Sequence, residues 1–217
     1  MQLSLVSLNV AVPRVIAVLN DAPVLSAIAK NPVHEARVHV GKTNIEGDAQ
    51  GDLTVHGGVD KAVYAYPTAN WPWWESEHGL VCGPATMGEN LTLDGATEDD
   101  VAIGDRFQWG DAVLEISQPR APCYKLALHT ARDDVPMLMT VSAKCGWYYR
   151  VVHEGEAPGR GAGLSRIGNS HGPTVRETFR ALFDRRVSPE ICARIRDVPQ
   201  LAEAWKRGLT KKLSGRA

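Results

Sequence analysis

The stretch that decides the fold class is Phe107-Gln108-Trp109-Gly110-Asp111-Ala112-Val113-Leu114-Glu115-Ile116. Two β-rich runs flank a Gly-Asp turn, which is a strong signal for a β-hairpin. Outward from this hairpin, further short strands are expected over residues 36–40, 53–56 and 62–66, the last ending at Pro67. Many short strands with Gly and Asp turns favour a barrel or a sandwich over an α/β sheet.

Two helical patterns interrupt the strands. Thr68 is expected to cap a helix that runs to about residue 77 and stops at Gly79. Asp134 is expected to cap a second helix over about residues 135–145. The tryptophans of the first helix are expected to dock it on the barrel rather than to bind a ligand.

The sequence changes character beyond residue 154. Residues 154–163 are rich in Gly and Pro and are interpreted as a linker zone, with a second breaker cluster at 168–173. Three short helices are expected after it, opening at Thr174 with a capping box, at Ser188 and at Pro199. We therefore expect a β domain over residues 1–168 and a three-helix domain over residues 173–217.

Composition excludes several classes of protein. The 217 residues are 44% hydrophobic and 23% charged, as in ordinary globular proteins. No run approaches the roughly 20 apolar residues of a membrane helix, and no signal peptide is recognised. The net charge of −1 is the sum of an acidic body and a basic tail. Residues 1–170 have 13 Lys and Arg against 20 Asp and Glu, and residues 171–217 have 11 against 5. We expect a cytoplasmic protein with reduced thiols and no membrane or nucleic-acid partner.

One of the four cysteines stands apart from the others. Cys82, Cys145 and Cys192 are interpreted as small buried residues, and no pair forms a C-x-x-C motif. Cys123 lies in SQPRAPCYKL, residues 117–126, just after the hairpin. Two prolines stiffen this loop, and Arg120 and Lys125 flank the thiol. Nearby cations favour a thiolate, which can serve as a nucleophile or as a soft metal ligand.

Several blocks of sequence together resemble one known family. They are VHGGVDKAVYAYP at 55–67, MGENL at 87–91 and the cysteine loop at 117–126, with residues 45–50 and 103–105 in agreement. In this order they resemble the MOSC domain (molybdenum cofactor sulfurase C-terminal domain), in its YiiM-like branch. Residues 174–217 resemble the three-helix domain appended in that branch. The resemblance implies a mainly β fold: a MOSC-type β-barrel with peripheral helices and a small C-terminal three-helix bundle.

The resemblance also implies a chemistry. It implies a site for the molybdenum cofactor, molybdopterin, in which Cys123 matches the expected molybdenum ligand and is the catalytic candidate. YiiM-like proteins are associated with detoxifying N-hydroxylated base analogues such as 6-N-hydroxylaminopurine, and a related amidoxime-reducing component reduces N-hydroxylated substrates. The implied reaction is reduction of N–OH to N–H with release of water. A family-level association with pyridoxal phosphate binding accompanies the same resemblance.

Other residues are candidates for contact with this anionic cofactor, which needs cations and N–H donors. The candidates are Lys30, His56, Gly57, Gly58, Lys61, Asn90, Arg120 and Lys125. The glycine pair permits close backbone approach, and the histidine and asparagine suit pterin edges or oxo ligands. Each also has an ordinary structural interpretation, as a solvated lysine or a simple turn. Five aromatic residues are weighed as stacking surfaces for a purine or as core: Trp73, Trp74, Trp147, Tyr148 and Tyr149.

Partners and alternatives remain to be decided. The cysteine spacing excludes an iron–sulfur domain, so a small N-hydroxylated substrate would need electrons from a separate reductase or flavodoxin-like protein. The basic tail, with Arg207, Lys211 and Lys212, is a hypothetical docking face for that partner. Alternatives are a non-catalytic carrier of molybdopterin or sulfur, a hydrolase that pairs Cys123 with a histidine, and a nucleic-acid module. The sequence leaves open whether the chain forms a homo-oligomer.

Overall fold

The computed structural model describes residues 1–50 and 57–215. Its strands are β1 (Gln2–Val10), β2 (Arg14–Leu19), β3 (Ala22–Ser26), β4 (Asn31–Pro32), β5 (Arg37–Val40), β6 (Val63–Pro67), β7 (Leu91–Asp94), β8 (Arg106–Trp109), β9 (Ala112–Pro119), β10 (Trp147–His153), β11 (Gly155–Pro158) and β12 (Leu164–Gly168). Its α-helices are α1 (Trp71–His78), α2 (Tyr124–Thr130), α3 (Val135–Ser142), α4 (Val175–Phe183), α5 (Pro189–Arg196) and α6 (Glu203–Leu213). Short 3₁₀ turns occupy Val59–Lys61 and Thr68–Asn70.

Seven of the described strands close into a barrel. Their order is β12-β8-β9-β10-β6-β7-β1, and pairing of β1 with β12 completes the circle. Neighbours are antiparallel except β6 and β7, which are parallel. β4 extends beside β1, while the pairs β2–β3 and β5–β11 form separate two-stranded sheets. The predicted mainly β barrel with peripheral and C-terminal helices is confirmed.

The predicted hairpin is β8–β9, and it supplies part of the barrel core. Phe107 pairs with Leu114 and Trp109 with Ala112, and all four side chains are buried. Gly110 forms the turn at a positive φ of 60°. A Cβ there would lie 2.4 Å from the carbonyl oxygen of Glu156, so only glycine lets the turn approach β11 this closely.

Aromatic side chains fill much of the core. The ring of Tyr149 packs edge-on against Phe107 and Trp147, at 5.8 and 6.3 Å between ring centres. Trp74 of α1 is fully buried and donates its indole N–H to the hydroxyl of Tyr66. Edge-to-face rings of this kind stabilise a core beyond the area they bury. The first helix is thus docked on the barrel by tryptophan, as the sequence indicates.

Two helix caps differ from the sequence prediction. Thr68 begins a 3₁₀ turn before α1, and its hydroxyl donates to Asp94 (2.7 Å) instead of capping the helix. Asp134 precedes α3 but makes no side-chain cap, because its carboxylate pairs with Arg132 (2.6 Å). The helix α3 also ends at Ser142, earlier than expected, where Ala143 adopts a left-handed conformation.

Two further predictions about the C-terminal third are wrong. Residues 154–163 are not a linker, since β11 pairs with β5 along its length. Their glycines instead permit close backbone contact: a Cβ on Gly159 would lie 2.3 Å from the carbonyl oxygen of Glu35. The third C-terminal helix starts at Glu203 rather than at Pro199, and the amide of Ala202 donates to Ser117 in the barrel (3.0 Å).

The three C-terminal helices pack together and onto the barrel. The predicted capping box is present, since the amide of Glu177 donates to the Thr174 hydroxyl (3.1 Å) and the Glu177 carboxylate accepts from the Thr174 amide (2.8 Å). Rings of Phe179 and Trp205 lie 6.1 Å apart between α4 and α6. The division into domains over 1–168 and 173–217 stays a prediction. No helix in the described part of the chain is both long and apolar enough to cross a bilayer.

Candidate functional site

A cleft opens where the cysteine loop after β9 meets the end of β3 and the chain that follows β5. It encloses about 690 Å³, its open mouth included. Six of the predicted site residues line it together: Lys30, Lys61, Asn90, Arg120, Cys123 and Lys125. These residues come from four separate segments of the chain, which the barrel brings to one place.

Three other predicted residues lie elsewhere. Gly57 and Gly58 do not line the cleft. Gly58 has a positive φ of 95° and its carbonyl accepts from the Lys61 amide (3.0 Å), so it shapes the turn that carries Lys61. His56 lies outside the described residues. Contact of these three residues with a cofactor stays a prediction.

Cys123 differs from the other cysteines in its surroundings. All four cysteines are described, and Cys123 alone lines the cleft, where it is partly exposed. Burial raises the pKa of Cys82 to about 12 and that of Cys145 well above its usual value. Cys192 is buried in the C-terminal helices. Cys82 is also partly exposed, contrary to the prediction that it is buried, but it does not line the cleft. The thiol accessible from the cleft is therefore the one on the proline-stiffened loop.

Arg120 places a buried positive charge beside this thiol. It is only 5% exposed, and its guanidinium carbon lies 5.2 Å from the centre of the Tyr64 ring. One nitrogen donates to the sulfur of Met139 (3.3 Å), which is a weak acceptor. Within the described residues, no carboxylate forms an ion pair with Arg120. Its charge is thus not neutralised by these residues.

Lys30 and Asp48 form a buried ion pair at another wall of the cleft. The side chains are 7% and 3% exposed, and the ammonium of Lys30 contacts the carboxylate directly. Asp48 also accepts from the side chain of Asn90 and from the amide of Ala11, both at 2.9 Å. Burial lowers the pKa of Lys30, although Asp48 opposes that shift. The carboxylate therefore holds both the lysine and the asparagine in place.

Asn90 is used mainly by the protein itself. Its side-chain oxygen accepts from the amide of Tyr64 (3.1 Å), and its nitrogen donates to Asp48 and to the carbonyl of Asn9 (3.2 Å). These bonds tie β1, β6 and the start of β7 together behind the cleft. The sequence indicates a cofactor contact here, and the structure adds a clear positioning role.

Two more lysines complete the cationic lining. Burial lowers the pKa of Lys61, with Asp60 acting in the opposite direction. Lys125 donates to the carbonyl of Leu25 (3.0 Å) and so joins α2 to β3. The described lining therefore has four cationic side chains and one carboxylate, that of Asp48. Such a surface attracts an anionic ligand.

Sequence reasoning missed Asp48 and Tyr64, which also line the cleft. Asp48 carries no signal of its own, since its partners lie 18 and 42 residues away in the chain. Tyr64 and Tyr148 are directly paired across β6 and β10, with ring centres 5.1 Å apart. Of the five aromatic residues weighed as stacking surfaces, Tyr148 is the one that lines the cleft. Each tyrosine fits the alternation of its own strand, but only the folded barrel shows that the two strands pair in this register.

The side chains of the cleft bear on the alternative functions considered from the sequence. The described residues contain no cluster of three His, Cys, Asp or Glu side chains that could hold a metal ion. No described histidine lines the cleft beside Cys123, which counts against a cysteine–histidine hydrolase. The thiol and the cations instead suit a ligand that brings its own metal and its own negative charge.

Comparisons with known proteins agree with this geometry. The chain matches the MOSC domain family over residues 52–164 and the YiiM-like, 3-alpha helix domain over residues 173–216. Protein YiiM of Escherichia coli (strain K12) is 36% identical over 196 residues, covering 88% of this chain and 86% of that protein. The crystal structure of YiiM from Geobacillus stearothermophilus matches with a TM-score of 0.80 at 32% identity, over 97% of this chain and 99% of that one.

A more distant relative carries a functional name. A protein of Gibberella moniliformis (strain M3125 / FGSC 7600) named reductase is 32% identical over 136 residues. The match covers 61% of this chain but 24% of that protein, so the similar segment is part of a much longer chain. The two family matches show that this chain belongs to the MOSC domain family, with a YiiM-like three-helix domain after the barrel.

Proposed function

We propose that the cleft binds the molybdenum cofactor and that the protein is an oxidoreductase that reduces N-hydroxylated compounds. The observation that carries this proposal is Arg120, buried beside Cys123 with no ion-pair partner among the described residues. A buried charge is costly, by several kcal/mol, unless an opposite charge neutralises it. The phosphate of molybdopterin is an opposite charge of the right kind.

The residues present fit this cofactor. A partly exposed cysteine is available as the sulfur ligand of the metal, and Arg120, Lys61 and Lys125 provide cations for the phosphate. The cleft also contains Tyr148 as an aromatic surface. When bound, the cofactor would supply two-electron reduction of the substrate. The resident side chains would hold it through charge and hydrogen bonds.

The chain's own lysines suit the proton requirement of the reaction. Reduction of R–NHOH to R–NH₂ consumes two electrons and two protons and releases water. Lys30 and Lys61 both line the cleft, and burial lowers the pKa of both. A lowered pKa makes such a group a better proton donor near neutral pH. These two lysines are the proposed sources of the protons that the reaction consumes.

The proposed substrate class rests on the resemblance to YiiM-like proteins. We propose N-hydroxylated purines and amidoximes as substrates, in a detoxification role. The fungal relative named reductase supports a reductive chemistry for the shared segment. The alternative is a non-catalytic MOSC protein that binds or carries molybdopterin or sulfur.

A separate reductase or flavodoxin-like protein is the proposed electron donor. On the basic tail, Arg207 and Lys211 are exposed on α6. Lys212 is not a free docking cation, since it donates to the carbonyls of Ala181 and Asp184, both at 2.7 Å. Charge reversal of Arg207 and Lys211 is expected to slow reduction at low salt but not at high salt. An unchanged rate at low salt would contradict docking at this face.

Turnover by the purified protein tests the proposal. Protein from a host that makes the cofactor is expected to reduce benzamidoxime or 6-N-hydroxylaminopurine with an added electron donor. Cys123→Ser is expected to abolish this activity, while Cys82→Ser retains it. Bound cofactor without turnover would favour the carrier. No molybdenum and no pterin in the wild type, after loss during purification has been excluded, would contradict both functions.

A further inference from the structure

An open groove lies between helices α3 and α4, here called the α3–α4 groove. It encloses about 590 Å³, and none of its described lining residues belongs to the cleft. Thr140 and Val141 line it from α3, and Phe179 and Phe183 line it from α4. Val141 is 74% exposed and Phe183 is 40% exposed. The Phe183 ring packs against Phe179 and Trp205, at 4.6 and 6.0 Å between ring centres, so it is a fixed aromatic surface.

Arginine side chains surround these apolar residues. Arg180, Arg185 and Arg186 line the groove, and the carboxylate in this described lining is that of Asp184. Arg186 pairs with Asp184 (2.9 Å). Arg180 and Arg185 are exposed and form no ion pair within the described part of the chain. The groove therefore combines apolar side chains with a net positive charge, which fits an acidic protein surface that carries an apolar side chain.

The basic tail adjoins this groove. Lys212 of α6 donates to the carbonyls of Ala181 and Asp184, both at 2.7 Å. These bonds place the last turn of α6 against the end of α4. Lys211, in the same turn, is exposed. The positive charge at the groove therefore extends to the end of α6.

Helix α3 separates the groove from the cleft. Met139 of α3 is fully buried, and its sulfur accepts from Arg120 (3.3 Å), which lines the cleft. Val141, two residues later, lines the groove. Residues two apart on a helix point about 200° apart, and a helix with its side chains is about 10 Å across. The groove and the Arg120 side of the cleft are thus separated by about the thickness of one helix.

The reaction proposed above needs an external source of two electrons. A reduced flavin releases two electrons and two protons when it returns to its oxidised form. This balances the reduction of R–NHOH to R–NH₂ and water. A flavodoxin-like carrier is a small acidic protein, so its charge complements that of the α3–α4 groove. Docking in the groove would place the carrier one helix away from the cleft.

We propose that the α3–α4 groove docks an acidic flavodoxin-like protein, which is the electron donor of the reaction. The charges of Arg180 and Arg185 attract the partner, and an apolar side chain of the partner contacts Val141 and Phe183. This inference rests on the proposed reductase function, although docking itself is measured without turnover.

Isothermal titration of the full chain with a purified flavodoxin tests the groove, with and without bound cofactor. At low salt, Arg180→Glu and Arg185→Glu are each expected to weaken binding about tenfold. Arg160→Glu is the matched control, because Arg160 is exposed and does not line the groove; its binding is expected to equal that of the wild type. A wild type that does not bind flavodoxin, or arginine variants that bind as the wild type does, would overturn the proposal.

Salt distinguishes the apolar contact from general attraction between opposite charges. Val141→Asp is expected to weaken binding at both low and high salt, whereas the two arginine variants lose their effect at high salt. Val81→Asp is the control, because Val81 is 75% exposed and does not line the groove. Thermal melting checks that every variant is folded. Equal binding by Val141→Asp and Val81→Asp would show that the partner does not dock in the groove.

A chemical reductant separates docking from the reductase function. With dithionite as the donor, Val141→Asp is expected to reduce benzamidoxime at the wild-type rate, and with flavodoxin at a lower rate. No turnover by cofactor-loaded wild type with dithionite would contradict the reductase function, while the titrations still decide where flavodoxin docks. A wild type that ignores flavodoxin but dimerises, with the dimer lost in Val141→Asp, would assign the groove to a second copy and overturn the proposal.

Discussion

Arg120 and Tyr64 form a cation–π contact, with 5.2 Å between the guanidinium carbon and the ring centre. The guanidinium is buried, and none of the described carboxylates pairs with it. Arg176 is a contrasting case elsewhere in the molecule. It is 14% exposed and pairs with the fully buried Glu98 (3.3 Å) and with Asp99 (2.8 Å). Arg176 therefore has its counter-charge within the protein, whereas Arg120 lines the cleft without one among the described residues.

This contrast gives a prediction about stability. Arg176→Met is expected to lower the free energy of unfolding by about 3 kcal/mol, because Glu98 stays buried without its ion pair. Arg120→Met in cofactor-free protein removes a buried charge that no described carboxylate offsets, so we expect no loss of stability and a gain of up to about 3 kcal/mol. Urea denaturation of both variants measures the difference. Equal losses would show that Arg120 is neutralised within the protein.

Lys30 gives a prediction about pH. Burial lowers the pKa of Lys30 below the 10.5 of an exposed lysine. Between the folded-state pKa and 10.5, the unfolded chain binds more protons than the folded chain. The stability contributed by Lys30 therefore rises with pH in this window and is lost as pH falls through the folded pKa. The wild type should therefore gain free energy of unfolding relative to Lys30→Met as pH rises toward 10.5. Lys211→Met, at an exposed lysine, is the control. A difference that is flat or falls with pH would contradict the buried lysine.

Gly88 gives a prediction about the wall of the cleft. It has a positive φ of 79°, and a Cβ there would lie 2.4 Å from Ile28. Gly79 also has a positive φ, 63°, but a Cβ there meets nothing within 4 Å. Gly79→Ala is expected to cost about 1 kcal/mol from backbone strain alone. Gly88→Ala is expected to cost at least about 2 kcal/mol and to reduce cofactor content, because Ile28 must move into the cleft. Similar losses in unfolding free energy for the two variants would argue against this tight contact.

Local signals predicted most of the fold. The hairpin around Gly110 and the capping box at Thr174 depend on residues a few positions apart, so the sequence alone indicates them. Closure of the barrel joins β1 to β12, more than 150 residues later, and no local pattern reports such a pairing. The same limit explains the error over residues 154–163, where glycines needed for close strand contact look like a flexible linker.

The site was predicted in part, for a similar reason. Six of the predicted site residues converge, because the barrel gathers the cysteine loop and the lysines. Asp48 could not be predicted, since its importance comes from contacts with Lys30 and Asn90 that only the folded chain creates. For Lys212 a role was predicted, but it was wrong. This lysine of the basic tail was expected to face a partner, whereas its ammonium caps the end of α4.

The central claim is that Cys123 and the cations around it hold a molybdenum cofactor. The most direct measurement is the molybdenum and pterin content of wild type, Cys123→Ser and Cys82→Ser, all purified from one cofactor-producing host. We expect bound molybdenum and pterin in the wild type and in Cys82→Ser, and loss of the metal in Cys123→Ser. Equal molybdenum in Cys123→Ser and the wild type, or none in any of the three proteins, would contradict the account.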